Sequence, residues 1–432
     1  MTKRLWIFAG AAVVATAAVA FAQRIDPRVA TTLTIGRASG PAPTVRQDAR
    51  RDGLSKDAFP RGPLKVAWRY ATGGGQIEEP PVVASDAIVV VTTHGDVVWV
   101  PPDAGEGHPE LARQSTPIAA TSTSPPAMLA DGTIVVVGGS GEAVAVGVTK
   151  TGLRFRTQLS GSAGGDELDA VAPLALDDGG VAVATSSEIA LLDSSGNVRM
   201  RATLPESVSG PLMASGGRIF AVARSGVVYA WQPGGTGGLD VSRVGSFQQS
   251  PRTRVHGGAA MTSDTTLVAV VDDARLMTLD VRQGLAVPLA TFQGGGFLGP
   301  VAYRRGVAYA MAAVPGHTFV IGIGSAGQEV MRVPVASSTV AMTDGGAPVY
   351  VTPPHVPVLV DDTGTIAFAA PEGALGVVDP AGIASTLDGV CMRPLRGGRG
   401  VTSLVSGGPG AIIATCVNGT VVRIVHGTAD SP

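Results

Sequence analysis

The chain has 432 residues, a net charge of −2, 15% charged residues, 4% aromatic residues and 59 glycines. This balance gives no electrostatic basis for nucleic-acid binding, which needs a dense cationic surface, and leaves few aromatic rings on which bases or sugars would stack. Abundant Gly, Val and Ala suit short buried strands joined by tight turns.

At the N-terminus, Met1–Arg4 is basic, Leu5–Ala20 is apolar, and Ala20-Phe21-Ala22 has the small–x–small form of a secretory cleavage site. Residues 1–22 are therefore expected to be a signal peptide, which places the mature chain in the periplasm or outside the cell. Retention as an uncleaved anchor is the alternative, because the apolar run approaches the length that spans a bilayer. No Cys follows the run, so a lipid-modified N-terminal cysteine is not expected. Residues 23–63 are rich in Arg, Pro, Asp and Thr, with seven Arg and Lys56 against four Asp over 23–62. They read as a flexible linker, attraction to anionic headgroups being the weaker alternative.

From there one pattern recurs: a β run, a small polar turn, a second β run and another turn. The turn residues Gly95, Gly141, Ser187, Gly226, Ala274, Gly316, Gly373 and Gly419 are spaced by 46, 46, 39, 48, 42, 57 and 46 residues. Such a period, built of strands, is the signature of a β-propeller with one blade per repeat. An all-β, eight-bladed propeller of four-stranded antiparallel blades is predicted over 64–428, with 429–432 a C-terminal tail. In the first unit the strands are Pro81–Ser85, Ala87–Thr92, Val97–Val100 and a poor outer strand near Leu111–Gln114. Better outer strands are Leu153–Leu159, Val198–Leu204, Ala286–Phe292 and Gln328–Val335. Second strands such as Ile134–Val137 and Val181–Ala184 are wholly apolar, as burial on both faces demands. The last unit stops after three strands at about Val425, while an orphan strand, Leu64–Tyr70, precedes the first. The N-terminal strand is expected to complete the last blade, because an open ring would expose an unpaired edge.

The stretch Trp68-Arg-Tyr-Ala-Thr-Gly-Gly-Gly-Gln-Ile-Glu-Glu-Pro-Pro-Val-Val-Ala-Ser-Asp, running on to Gly95-Asp-Val-Val-Trp99, resembles the repeat of PQQ-like, quinoprotein-type propellers. That family includes the non-enzymatic scaffold subunit of the bacterial outer-membrane barrel-assembly machinery. The likeness spans all eight units and is strongest in the first. It implies a Trp on each outer strand docking against the neighbouring blade. Trp68 fills that place here, and Phe155, Val198, Leu285 and Val330 lie near it elsewhere. The quinoprotein alcohol dehydrogenases of the family carry adjacent cysteines, acidic and amide calcium ligands and an Asp base. This chain has no adjacent cysteines and no recognisable cluster of those ligands, so neither PQQ nor a metal is expected.

Other motifs reduce to turns. Gly322-Ile-Gly324-Ser-Ala-Gly327 matches a dinucleotide fingerprint, but a β run broken by Pro334 follows it where a helix is required. It aligns with the turn Asp193-Ser-Ser-Gly196. The six histidines follow no metal-ligand spacing, and Asn418-Gly-Thr420 sits where a hairpin favours Asn-Gly.

Cys391 and Cys416 fall, respectively, in the loop entering the last blade and beside its second hairpin, on one rim. In an oxidising compartment they are expected to form a disulfide; two free thiols or a metal pair are the alternatives. The same rim gathers Glu78, Glu79, Asp166, Glu167, Asp169, Arg252, Arg254, Asp272, Asp273, Arg393, Arg396 and Arg399. A solvated, self-compensating face is the plain reading. The sharper one takes Glu78, Glu79, Arg252, Arg254, Arg393, Arg396 and Arg399 as the partner-binding rim, since binding groups concentrate on loops held by rigid scaffolds. The Pro-rich insertion around Ala336–Val356 is a second contact element. The expectation is thus a monomeric, exported, non-catalytic scaffold binding protein partners in the envelope. The alternatives are a degenerate quinoprotein oxidoreductase or a carbohydrate- or peptide-binding propeller.

Overall fold

The computed structural model describes residues 48–73, 75–103, 112–116, 124–139, 142–162, 171–208, 210–233, 241–336, 356, 358–370, 373–391 and 400–427. The expected signal peptide, the tail and the insertion over 337–355 lie outside these residues.

Eight sheets of consecutive antiparallel strands make the eight blades of the propeller. Blade 1 comprises Val82–Val83, Ile88–Val91, Asp96–Val100 and Ala112–Ser115. In blade 8, Val401–Ser406, Ala411–Cys416 and Thr420–His426 are completed on the outside by Leu64–Ala71. That outer strand pairs antiparallel with Thr420–His426, from Leu64 opposite His426 to Ala71 opposite Thr420. The ring closes by the expected clasp.

Strand composition follows from where the core lies. Successive side chains of a strand point to opposite faces, and in this ring each face of a blade meets a neighbour. Val82 packs into the cluster between blades 1 and 2, whereas Val83 packs into the one between blades 8 and 1. The same division gives one apolar cluster at each of the eight junctions. Second strands such as Val181–Ala184 are buried throughout for this reason.

Docking differs from the sequence expectation. Trp68 and Phe155 do pack into the next junction, and the Trp68 indole donates to the Pro102 carbonyl at 3.1 Å. Val198, Leu285 and Val330 are instead exposed, at 37%, 57% and 51%. In blades 3 and 6 a bulge near the start of the outer strand turns Met200 and Met331 inward in their place.

The hairpins between second and third strands keep glycine at positive φ in Gly95, Gly226, Gly316, Gly373 and Gly419. Blade 5 has Ala274 at its anchor, and the left-handed conformation passes to Asp272 and Asp273, at φ 51° and 55°. Gly324 and Gly327 close a turn through a 2.8 Å backbone bond, with a strand on either side.

The segment expected as a linker differs most. Its described part, 48–63, lies against the ring, and Leu54–Ser55 forms a fifth, parallel strand on the inner edge of blade 7. Inner strands present free N–H groups to the channel, and this backbone satisfies several of them.

Candidate functional site

The rim that carries the loops between blades also carries the hairpins between second and third strands. Among the described residues, several of these loops are tied by backbone bonds to the hairpins. In blade 1 the Thr93 N–H donates to the Gln76 carbonyl at 2.8 Å, and the Gln76 N–H donates to Thr93 Oγ1 at 3.1 Å. The Thr72 N–H reaches back to the Gly419 carbonyl of blade 8 at 2.9 Å. In blade 5 the Arg254 N–H donates to Asp272 Oδ1 at 2.7 Å and the Asp272 N–H returns to the Arg254 carbonyl at 2.9 Å. The loops entering blades 1 and 5 are therefore fixed against their hairpins.

Glu78 is exposed and Glu79 half-buried in the loop leading into blade 1. Although Glu79 keeps some surface, its carboxyl is crowded away from water. Desolvation, reinforced by the Glu78 carboxylate, pushes it up to about 8. Arg252 and Arg254 are exposed in the loop leading into blade 5. Blades 1 and 5 face each other across an eight-membered ring, so these pairs stand on opposite sides of the rim. Asp272 pairs with Arg275 of its own hairpin. Arg393, Arg396, Arg399, Asp166, Glu167 and Asp169 lie outside the described residues.

Cys391 and Cys416 form a disulfide, with Cα atoms 5.7 Å apart and a sequence separation of 25. It joins the loop entering blade 8 to the end of that blade's second strand. The clasp strand reaches the same place: Arg69 Nε donates to the Val390 carbonyl at 3.2 Å and Nη2 to that of Gly389 at 3.1 Å.

One polar cluster escaped sequence reasoning. Glu206, in the loop between blades 3 and 4, accepts from Ser225 Oγ and Tyr229 Oη, both at 2.8 Å. Burial, then the Glu206 carboxylate, pushes the Tyr229 phenol up to about 12, so it remains a donor. The cluster braces the loop against the hairpin, and its members lie too far apart in sequence to form a motif.

Among the described residues no three His, Cys, Asp or Glu side chains converge to hold a metal. The two cysteines are spent on the 391–416 bridge. No helix among the described residues is long and apolar enough to cross a membrane.

A family model described as outer membrane protein assembly factor BamB, of the PQQ-like repeat type, matches residues 64–235 and again 170–296, together more than half of the chain. The chain belongs to this family. Among solved structures, BamB from Moraxella catarrhalis is 13% identical with a TM-score of 0.57, covering 86% of this chain and 100% of that one. A europium-containing methanol dehydrogenase is 11% identical with a TM-score of 0.62, covering 90% and 98%. A computationally designed protein, Ika8, is 15% identical with a TM-score of 0.54, covering 82% and 98%. At such identities the likeness concerns the PQQ-like fold. No curated protein matches the chain.

Proposed function

We propose that this PQQ-like propeller is a non-catalytic, exported scaffold that binds protein partners in the cell envelope through the rim bearing Glu78, Glu79, Arg252, Arg254, Arg393, Arg396 and Arg399. The observation that carries this reading is the clamping of the rim loops at Gln76–Thr93 and Arg254–Asp272. A partner landing on such loops need not order them, which removes part of the cost of association. The family match to an assembly factor supports the same role. Mixed charge at the rim would set orientation and encounter rate more than affinity. The mature protein works as a monomer in the periplasm or outside the cell.

The test is affinity capture from envelope extracts. The wild-type chain is expected to retain a partner that is lost on combining Arg252→Glu and Arg254→Glu, or on Glu78→Lys. Asp177→Lys, in the first hairpin of blade 3 on the opposite rim, should retain it. Equal capture by all four proteins would remove the rim from the argument.

A second reading, a quinoprotein oxidoreductase, is favoured by the likeness to the europium-containing methanol dehydrogenase. Dye reduction with an alcohol substrate, after adding PQQ with calcium or a lanthanide, would establish it in place of the scaffold. The scaffold reading expects no turnover above that of the added cofactor alone.

A further inference from the structure

The inner wall of the ring holds something the repeat itself does not need. The Ala49 carbonyl accepts the Ala214 N–H of blade 4 at 2.9 Å, and the Arg50 carbonyl accepts the Met261 N–H of blade 5 at 2.9 Å. The Asp52 carbonyl accepts the Tyr303 N–H of blade 6 at 2.7 Å, and the Gly53 carbonyl accepts the Val360 N–H of blade 7 at 3.0 Å. The Ala58 carbonyl accepts the Gly410 N–H of blade 8 at 2.8 Å. Five consecutive blades thus each donate one backbone hydrogen bond to one short peptide, taken in order.

Arg51 extends the set in the other direction. Its side chain is fully buried. Nε donates to the Leu212 carbonyl at the edge of blade 4 and Nη2 to the Pro173 carbonyl at the edge of blade 3, both at 2.9 Å. Its backbone is left-handed, at φ 56°, and Asp48 Oδ1 holds the bend by accepting the N–H groups of Arg50 and Arg51 at 2.9 Å each. Two residues on, Gly53 has φ +70°, and a Cβ there would press on Ala302 at 3.1 Å and the Val358 carbonyl at 3.2 Å. The peptide fits the wall closely where it passes blades 6 and 7.

From this geometry we propose that residues 48–58 are an internal peptide ligand, keyed by Arg51, whose seating on the channel wall couples blades 3 to 8 into one cooperative unit. Recognition is through backbone carbonyls plus one guanidinium. The key must be arginine, because two diverging N–H donors are needed to reach carbonyls on two blades, and a lysine ammonium offers a single nitrogen. A buried lysine charge short of acceptors would be expelled or neutralised.

Hydrogen exchange on the full-length protein reads the coupling directly. The reporters are the amides of Ala214, Met261, Tyr303, Val360 and Gly410. In Arg51→Ala and in Arg51→Lys all five are expected to lose protection together, by about tenfold or more, although the Nε and Nη2 bonds go to the edges of blades 4 and 3. Loss confined to those two blades, or full protection in Arg51→Lys, would overturn the proposal. If neither variant folds, the wild-type protein in sub-denaturing guanidinium decides. The five amides should then share one opening event before the blades unfold, and five separate openings would refute the coupling.

Discussion

Phe155 shows how much one side chain contributes to a blade junction. Only 7% of it is exposed, and it packs with Ala175, Val181 and Leu192 of the next blade. Its ring fills the space left by two glycines, one from each side: a Cβ on Gly147 or on Gly196 would run into it. Phe155→Ala should destabilise the fold by about 3–5 kcal/mol, and Phe155→Leu by less, in guanidinium denaturation; a cost below about 1 kcal/mol would mean the junction re-packs. The sequence made Phe155, which follows a bulge at Arg154, legible as a docking residue but set its counterparts in blades 3 and 6 before the equivalent inward residues Met200 and Met331, since a one-residue bulge exchanges inward and outward faces. Val198 precedes a bulge at Arg199 and Val330 is itself the bulged residue, and no pattern of residue types marks where a bulge falls. Glu79 belongs to the same scale. Its carboxyl titrates at about 8 in the folded protein against an ordinary value near 4.5. Folding therefore takes up a proton between these values, and wild-type stability falls as pH rises through that window. Glu79→Gln should flatten this part of the profile, with the variant more stable at pH 8 and the two proteins converging near pH 4. Parallel profiles would show that the carboxyl is well solvated.

At the scale of elements, blade 8 is the one assembled from both ends of the ring, and it is reinforced accordingly. The clasp strand Leu64–Ala71 supplies the missing edge, and the Cys391–Cys416 bridge fixes the loop entering the blade to its second strand. Arg69 links the two devices through the carbonyls of Gly389 and Val390. Closing a loop of 25 residues contributes about 3 kcal/mol in the chain-entropy account. Combining Cys391→Ser and Cys416→Ser should lower the unfolding free energy by about that amount. Reductant should lower the wild type to the same level and leave the variant unchanged. Both devices were legible in the sequence, the clasp from a strand left over at one end and missing at the other, the bridge from two cysteines on one rim. The channel-wall peptide was not. Arg50-Arg51-Asp52-Gly53 is polar and unpatterned and reads as linker, because a segment bound through its backbone carbonyls needs no periodic side chains. Only the buried Arg51 and the left-handed Gly53 leave a trace, and neither is distinctive without coordinates.

For the whole molecule, the distribution of apolar clusters decides how it unfolds. Each junction cluster draws on two blades, so losing one blade exposes two clusters at once. The ion pairs contribute little here: most join partly exposed side chains, such as Arg50 with Asp264 and Lys150 with Asp86, and such pairs give at most about 1 kcal/mol each. A linear stack of repeats can fray from its ends. This ring has no free end to fray, since its ends meet inside the disulfide-bridged blade 8 and the channel-wall peptide ties that blade to blades 3 to 7. Unfolding should therefore be one transition. Trp68, Trp99 and Trp231 report on it from the junctions 8/1, 1/2 and 3/4. Variants that keep one of these three, with Trp6 and the other two replaced by Phe, each need their own reference, because each loses different contacts. Within each variant the fluorescence midpoint should match the far-ultraviolet circular dichroism midpoint. Agreement in all three would mean that the blades on both sides of the clasp unfold together with blades 3 and 4. A fluorescence midpoint that precedes the dichroism in the Trp68 variant alone would locate the weak point at the clasp, and the ring would then open before its blades unfold.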